Sequence, residues 1–254
     1  MTTRAGVPAG YVALEDGGTR GALLAALEQP LRAALAGGTF YAYAEGHAQK
    51  RALEGRAIAY AVALPSCAAR VVVRHSRHGG MLAPLTGDRF LGETRAPREL
   101  AIAIALTERG VPTPEVVAYA TYAAGAFRRR ADVVTREVPR SRDLAAALAE
   151  SDAGARAEGV EAAGRLLATL AAASVYHPDL NLKNILLSRT DQGGTKAYLL
   201  DVDRVRFHPQ AERARVSEWN IARLVRSGDK WRKLHGLAFG ADTVRALRAA
   251  MEAP

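Results

Sequence analysis

Apolar positions along this chain change period several times, and the changes outline its elements. Residues 22–36 carry apolar side chains at helical spacing and close on Gly37-Gly38, which predicts a short amphipathic helix. From Phe40 to Val73 the pattern shortens to strand-like pieces. These are Phe40-Tyr41-Ala42-Tyr43, then residues 57–62, then residues 69–73, with Pro65-Ser66 in the last connection. A helix over 97–109 ends at Gly110-Val111-Pro112-Thr113-Pro114, because glycine followed by proline stops a helix. Strands follow over 115–121 and 131–137, with Arg128-Arg129-Arg130 as their hairpin tip. Beyond Glu137 the periodicity is mostly helical, over 143–150, 155–174 and 211–233. Val160, Leu167 and Leu170 share a stripe of the second helix, and Trp219, Leu224 and Trp231 are the expected core-facing members of the third. The division this predicts is α+β: a helical extension over 1–38, a sheet domain over 39–137 and a mostly helical domain over 138–254.

Two apolar runs interrupt the helical half. Ile185-Leu186-Leu187 and Ala197-Tyr198-Leu199-Leu200 read as a buried hairpin, with its turn from Ser188 to Lys196 around Asp191 and Gly193-Gly194. Just before it stands His177-Pro178-Asp179-Leu180-Asn181-Leu182-Lys183-Asn184, and just after it Asp201-Val202-Asp203. The hairpin returns Asp201 to the edge that holds Asn184. One acid, Asp179, can accept the proton of a hydroxyl nucleophile, while Asn184 and Asp201 can hold magnesium on nucleotide phosphates. Type and order match the catalytic and metal loops of kinases. His177 is read as backbone support.

The sheet half carries matching candidates. Arg74 closes the third strand, where kinases usually place a Lys on the phosphates, and Glu99 on the following helix would be its acidic partner. Arg supplies the charge with a bulkier, forked head. Gly55-Arg56-Ala57 is a candidate phosphate-covering turn. Glu137-Val138-Pro139 would link the two domains, where adenine could meet backbone groups at Glu137 and Val138.

Composition narrows the partners. A charge of +9, from 35 Lys and Arg against 26 Asp and Glu, favours something anionic. No zinc spacing, RNA-reading aromatic strand or basic zipper is present in the sequence, which argues against nucleic acid. The lone Cys67 excludes an internal disulfide framework and suits a reducing compartment. No targeting pattern opens the chain and no apolar stretch is long enough to span a bilayer, so a soluble protein is expected, at most lying on a membrane surface.

Taken together, these motifs resemble the lipopolysaccharide kinase family, and within it the kinases of 3-deoxy-D-manno-octulosonic acid (Kdo). The resemblance runs from about Gly55 to Leu234. It is carried by Val72-Val73-Arg74-His75-Ser76-Arg77-His78-Gly79-Gly80, Gly87-Asp88-Arg89-Phe90-Leu91-Gly92, the segment 110–114, residues 177–187, Leu200-Asp201-Val202-Asp203-Arg204 and Trp219-Asn220-Ile221-Ala222-Arg223-Leu224. It implies a bilobal protein-kinase-like fold, ATP and magnesium as cofactors, and transfer to a Kdo hydroxyl of Kdo-lipid A at the cytoplasmic face of the inner membrane. It implies Asp179 as base, Asn184 and Asp201 as metal ligands, and Arg74 with Glu99 as the cation–acid pair. Asn181, where protein kinases often carry Lys, and Arg77 are implied acceptor contacts. Val202 and Asp203 depart from the Phe and Gly of the protein-kinase metal triplet, and no long activation segment follows, which argues against a protein substrate. No obligate protein partner is evident.

Two other readings stay open. A small-molecule kinase of the aminoglycoside or choline type shares His-x-Asp and the later Asp, but it favours an acidic acceptor pocket, and the Arg surplus points the other way. A kinase-like binding protein without turnover has Arg74 in place of Lys as its support.

Overall fold

Strands dominate one part of this chain and helices the other. The structure is a computed structural model describing residues 6–53, 55, 57–76, 90–91, 94–125 and 128–253. Its contacts separate two units, Met1–Ala101 with Glu115–Glu137, and Ile102–Pro114 with Val138–Pro254.

The first unit is built on one antiparallel sheet. In chain order its strands are β1 (Tyr11–Asp16), β2 (Thr19–Leu24), β3 (Arg51–Leu53), β4 (Ala59–Ala63), β5 (Arg70–His75), β6 (Phe90–Leu91), β7 (Val116–Ala123) and β8 (Arg128–Arg136). In space they run β1-β2-β7-β8-β5-β4-β3, with β6 also on β8. Alternating Val, Leu and Ala positions of these strands bury one face with two helices, α1 (Glu28–Leu35) and α2 (Phe40–Gly46). Leu23, Leu31, Phe40, Val62, Val71, Val117 and Val134 form that core. Burying each such side chain contributes on the order of 1.5–3 kcal/mol.

Three local expectations are corrected here. Residues 11–24 form a hairpin rather than part of a helical extension over 1–38, and β2 joins the sheet against β7. Gly17 and Gly18, with φ of 49° and 87°, supply the left-handed turn that such a hairpin requires. Phe40-Tyr41-Ala42-Tyr43 is helical, because the Thr39 hydroxyl caps the Ala42 amide and two buried side chains take the next free amides. Arg128-Arg129-Arg130 lies within β8 and not at the tip. At the start of that strand the Arg128 carbonyl accepts the Ala124 amide at 2.8 Å.

The helix α3 (Ala96–Glu108) links the two parts of the chain, and Gly110, at φ 72°, ends it as the sequence predicts. In the second unit, β9 (Ser141–Asp143) leads into α4 (Leu144–Leu148), which the Asp143 carboxylate caps at 2.7 Å. The long α5 (Ala153–Ala172) packs against the C-terminal α7 (Ala241–Glu252). They meet at Gly164, where a Cβ would lie 2.5 Å from that of Ala250. Between them in sequence come β10 (Val175–Tyr176), β11 (Ile185–Arg189), β12 (Thr195–Leu199), β13 (Arg206–Phe207) and α6 (Arg213–His235). β9, β11 and β12 form one small sheet, and β10 pairs with β13. Arg248 of α7 holds Glu218 of α6 through both terminal nitrogens, at 2.8 and 2.9 Å. Of the three expected core-facing members of α6, Leu224 is buried, while Trp219 and Trp231 are only half-buried.

Candidate active site

The loop after β10 is held from three sides. His177 is fully buried, and a backbone carbonyl can only accept, so its Nε2 donates to the Leu200 carbonyl at 3.1 Å. Its Nδ1 then accepts the Asp179 amide at 3.2 Å, which fixes the neutral tautomer. Burial holds this imidazole below its ordinary 6.5, outweighing the Leu200 carbonyl and the charges of Asp201 and Asp179, which act the other way. From α6, the buried Asn220 accepts the His177 amide at 3.1 Å and donates to the Val175 carbonyl at 2.8 Å. Two turns further on, the Ser227 hydroxyl accepts the Leu182 amide at 3.2 Å.

Within the loop, the Asp179 carbonyl accepts the side-chain amides of Asn181 at 2.8 Å and Asn184 at 3.0 Å. Asn181 also accepts the Lys183 amide, so both ends of its carboxamide bond within the loop. For Asn184 the donor end is used and the oxygen points elsewhere. The Asp179 carboxylate receives Nη1 of Arg204 at 2.8 Å.

Asp201 is brought alongside by the hairpin. β11 and β12 pair Ile185 with Leu199, and the Leu200 amide continues the ladder to the Asn184 carbonyl at 2.9 Å. The end of β12 is clamped from its other side, since the Leu199 amide reaches the Pro112 carbonyl at 2.8 Å and the Thr113 hydroxyl reaches the Leu199 carbonyl at 2.9 Å. Segment 110–114 therefore does more than stop a helix. Asp201 itself is exposed and adopts a left-handed backbone, φ 56° and ψ 50°.

A hard cation asks for oxygen ligands, and magnesium takes only one or two from protein. The carboxamide oxygen of Asn184 and the carboxylate of Asp201 fit that demand. Among the described residues no group of three or more His, Cys, Asp or Glu gathers around a common point, so a denser metal centre is not what this loop offers.

In the sheet unit, Arg74 of β5 makes an ion pair with Glu99, which is buried in the first turns of α3. The next residue, His75, gives Nδ1 to the carboxylate of Asp132 at 2.6 Å. Asp132 is fully buried and also accepts the Tyr41 amide at 2.9 Å, at the start of α2. Beside it Tyr122 accepts the Phe40 amide at 3.0 Å, and burial first, then the Asp132 charge, push its hydroxyl well above the usual phenol range. Gly55 stands in the β3–β4 turn, between neighbours outside the described residues. The Glu137 carboxylate is held by Arg51 at 2.5 Å and Arg70 at 2.6 Å, and its amide donates to the Arg70 carbonyl at 3.0 Å. The Val138 carbonyl accepts the Ser141 hydroxyl at 2.8 Å. Arg77 lies outside the described residues.

Asp132, Asn220, Ser227 and Arg204 carry no stated role in the sequence pattern, although Asn220 and Arg204 stand within the motifs quoted for the resemblance. The first three act through contacts remote in sequence, which no local pattern announces. Arg204 was visible as part of the Asp-Val-Asp-Arg run, and only the fold shows that it reaches Asp179.

A sheet unit with a strand–helix cation–acid pair, and a second unit with an Asp–Asn loop and a following Asp, is the layout of the protein-kinase-like fold. A solved chain described as WaaP in complex with acyl carrier protein shares this fold, at a TM-score of 0.52 and 19% identity over 89% of this chain and 88% of that one. The model of the lipopolysaccharide kinase (Kdo/WaaP) family matches residues 46–239, and the chain belongs to that family. A 3-deoxy-D-manno-octulosonic acid kinase of Vibrio parahaemolyticus is 30% identical over 63% of this chain and 65% of its own length. The protein so described in Xanthomonas oryzae pv. oryzae is 35% identical over 68% and 66%. The match thus spans about two thirds of the length of these relatives.

Proposed function

We propose that this protein is an ATP-dependent kinase that transfers the γ-phosphoryl group to a Kdo hydroxyl of Kdo-lipid A. One observation supports it most directly. The Asp179 backbone is locked by two carboxamides while its carboxylate stays half-exposed, and the Asn184–Leu200 hydrogen bond sets Asp201 beside the same loop. In this reading Asp179 orients the acceptor hydroxyl and takes its proton. Asn184 and Asp201 hold magnesium, which when bound neutralises phosphate charge. Arg74, kept in place by Glu99, meets the nucleotide phosphates, while the Gly55 turn covers them and backbone groups at Glu137 and Val138 meet the base.

Relatives named for Kdo phosphorylation support the acceptor, and so does the charge of the chain. Arg213, Arg215, Arg226, Lys230, Arg232 and Lys233 are exposed along α6, with Leu234 63% exposed near its end. Such a face suits an anionic membrane surface, at about 1 kcal/mol per basic residue close to it. No helix among the described residues is long and apolar enough to cross a membrane. We place the enzyme peripherally on the cytoplasmic face of the inner membrane.

The test is incubation with ATP, magnesium and Kdo-lipid A, with the product resolved by mass. One added phosphate on the Kdo unit is the expected result. Phosphate on heptose or on a small cationic alcohol would move the acceptor, and nucleotide binding without transfer would make this a binding protein.

A further inference from the structure

Arg204 stands on the short 3-10 turn after Asp201, and its Nη1 donates to Oδ2 of Asp179 at 2.8 Å. This bond is the only one that its guanidinium makes among the described residues. A guanidinium has five N–H donors in a planar fork, so most of them remain available. The side chain is 48% exposed and that of Asp179 is 45% exposed, so the pair faces solvent. An exposed ion pair of this kind contributes little to folding.

Charge makes the position informative. Asp179, Asp201 and Asp203 all lie close enough to act on Arg204, whose guanidinium is pushed above its ordinary value, first by the Asp179 hydrogen bond. An acidic neighbourhood of this kind repels an anionic acceptor. A hydroxyl presented to Asp179 nevertheless brings its own substituents within reach of the unused donors of Arg204.

We infer that Arg204 reads an anionic oxygen group, of carboxylate or phosphate type, that the acceptor carries near its reacting hydroxyl. The inference rests on the kinase reading above and adds a specificity residue to it. The fork matches two oxygens in one plane, which favours a sugar carboxylate as the source. Arg204 thereby exchanges part of its hold on Asp179 for the acceptor, and it presents the hydroxyl to the acid it was pairing.

The test compares three acceptors, Kdo-lipid A, the same molecule with the Kdo carboxyl reduced to the alcohol, and the same molecule with the lipid A phosphates removed. Wild type, Arg204→Gln and Arg204→Lys are each assayed. Wild type is expected to lose tenfold or more in kcat/KM on carboxyl reduction and little on removal of the phosphates. In Arg204→Gln the intact and reduced acceptors become equivalent, through acceptor KM more than kcat, with KM for ATP unchanged. Arg204→Lys recovers part of the discrimination. A wild-type enzyme indifferent to carboxyl reduction, or an Arg204→Gln enzyme that keeps the wild-type preference, overturns the carboxylate assignment. Discrimination that follows the lipid A phosphates instead moves the source and overturns the carboxylate. No transfer to Kdo-lipid A by wild type would remove the kinase reading itself, a different result from transfer with unaltered preference.

Discussion

His177 gives its Nε2 hydrogen to the carbonyl of Leu200, and this single bond ties the segment before Asp179 to the segment before Asp201. The same ring accepts the Asp179 amide at Nδ1, so the imidazole must be neutral and in one tautomer for both bonds to exist. Protonation at Nδ1 would turn an acceptor into a donor facing another donor.

A pH dependence follows. The folded pKa of His177 lies below its ordinary 6.5, chiefly through burial. Between the folded and unfolded values the unfolded chain binds more protons, so stability rises with pH. The contribution of His177 is therefore complete above about 6.5 and is lost as pH falls through the lowered folded value. Thermal unfolding of the wild type from pH 8 to 5 should show this decline, and His177→Gln should lack that component while turning over more slowly. Equal slopes in the two proteins would contradict the assignment.

Asn220 is the second fastener. Replacing it with Ala leaves the His177 amide and the Val175 carbonyl buried without partners. An unsatisfied buried group costs about 1–3 kcal/mol, so a total loss of about 2–6 kcal/mol is expected by urea unfolding. A loss under about 0.5 kcal/mol would show that the loop is held without it.

Arg74 and Glu99 should behave as one unit toward nucleotide. Arg74→Met and Glu99→Gln are each expected to raise KM for ATP, about five- to fiftyfold, and the double variant to be far from the product of the two. Independent, multiplicative effects measured by steady-state kinetics would separate the pair.

The basic face of α6 gives a salt-sensitive prediction. Binding to vesicles containing anionic lipid should weaken strongly between low and high salt, since screening shortens to about 3 Å at 1 M. Arg226→Glu with Lys230→Glu should weaken it further, because both side chains are exposed on that helix. Co-sedimentation that ignores both salt and these charges would remove α6 from the membrane contact.

What the sequence disclosed depends on how local each feature is. Asp179, Asn184 and Asp201 were legible because a short loop and one hairpin carry them, and the β11–β12 pairing sets Asp201 where the apolar runs implied. The Arg74–Glu99 pair followed from a strand and the next helix. Phe40-Tyr41-Ala42-Tyr43 misled, because its aromatic alternation mimics a strand while its helix is decided by Thr39 and by Asp132 and Tyr122, remote in sequence. The hairpin at residues 11–24 did have a local signal, Asp16-Gly17-Gly18, which outweighs the helical periodicity beginning at Ala22. The contacts of Asn220 and Ser227 of α6 were beyond any local pattern, since their partners lie more than forty residues away, at sequence separations of 43 and 45.

In the proposed reaction Asp179 takes the proton of the Kdo hydroxyl as the phosphoryl group is transferred to Kdo-lipid A. The most direct test is transfer of label from γ-labelled ATP to that acceptor, by wild type and Asp179→Asn side by side. Label is expected on the Kdo unit with wild type, and at a rate lower by about two to four orders of magnitude in the variant, which still binds ATP. Label on the Kdo unit at an undiminished rate in Asp179→Asn, or none there with wild type, would contradict this reading.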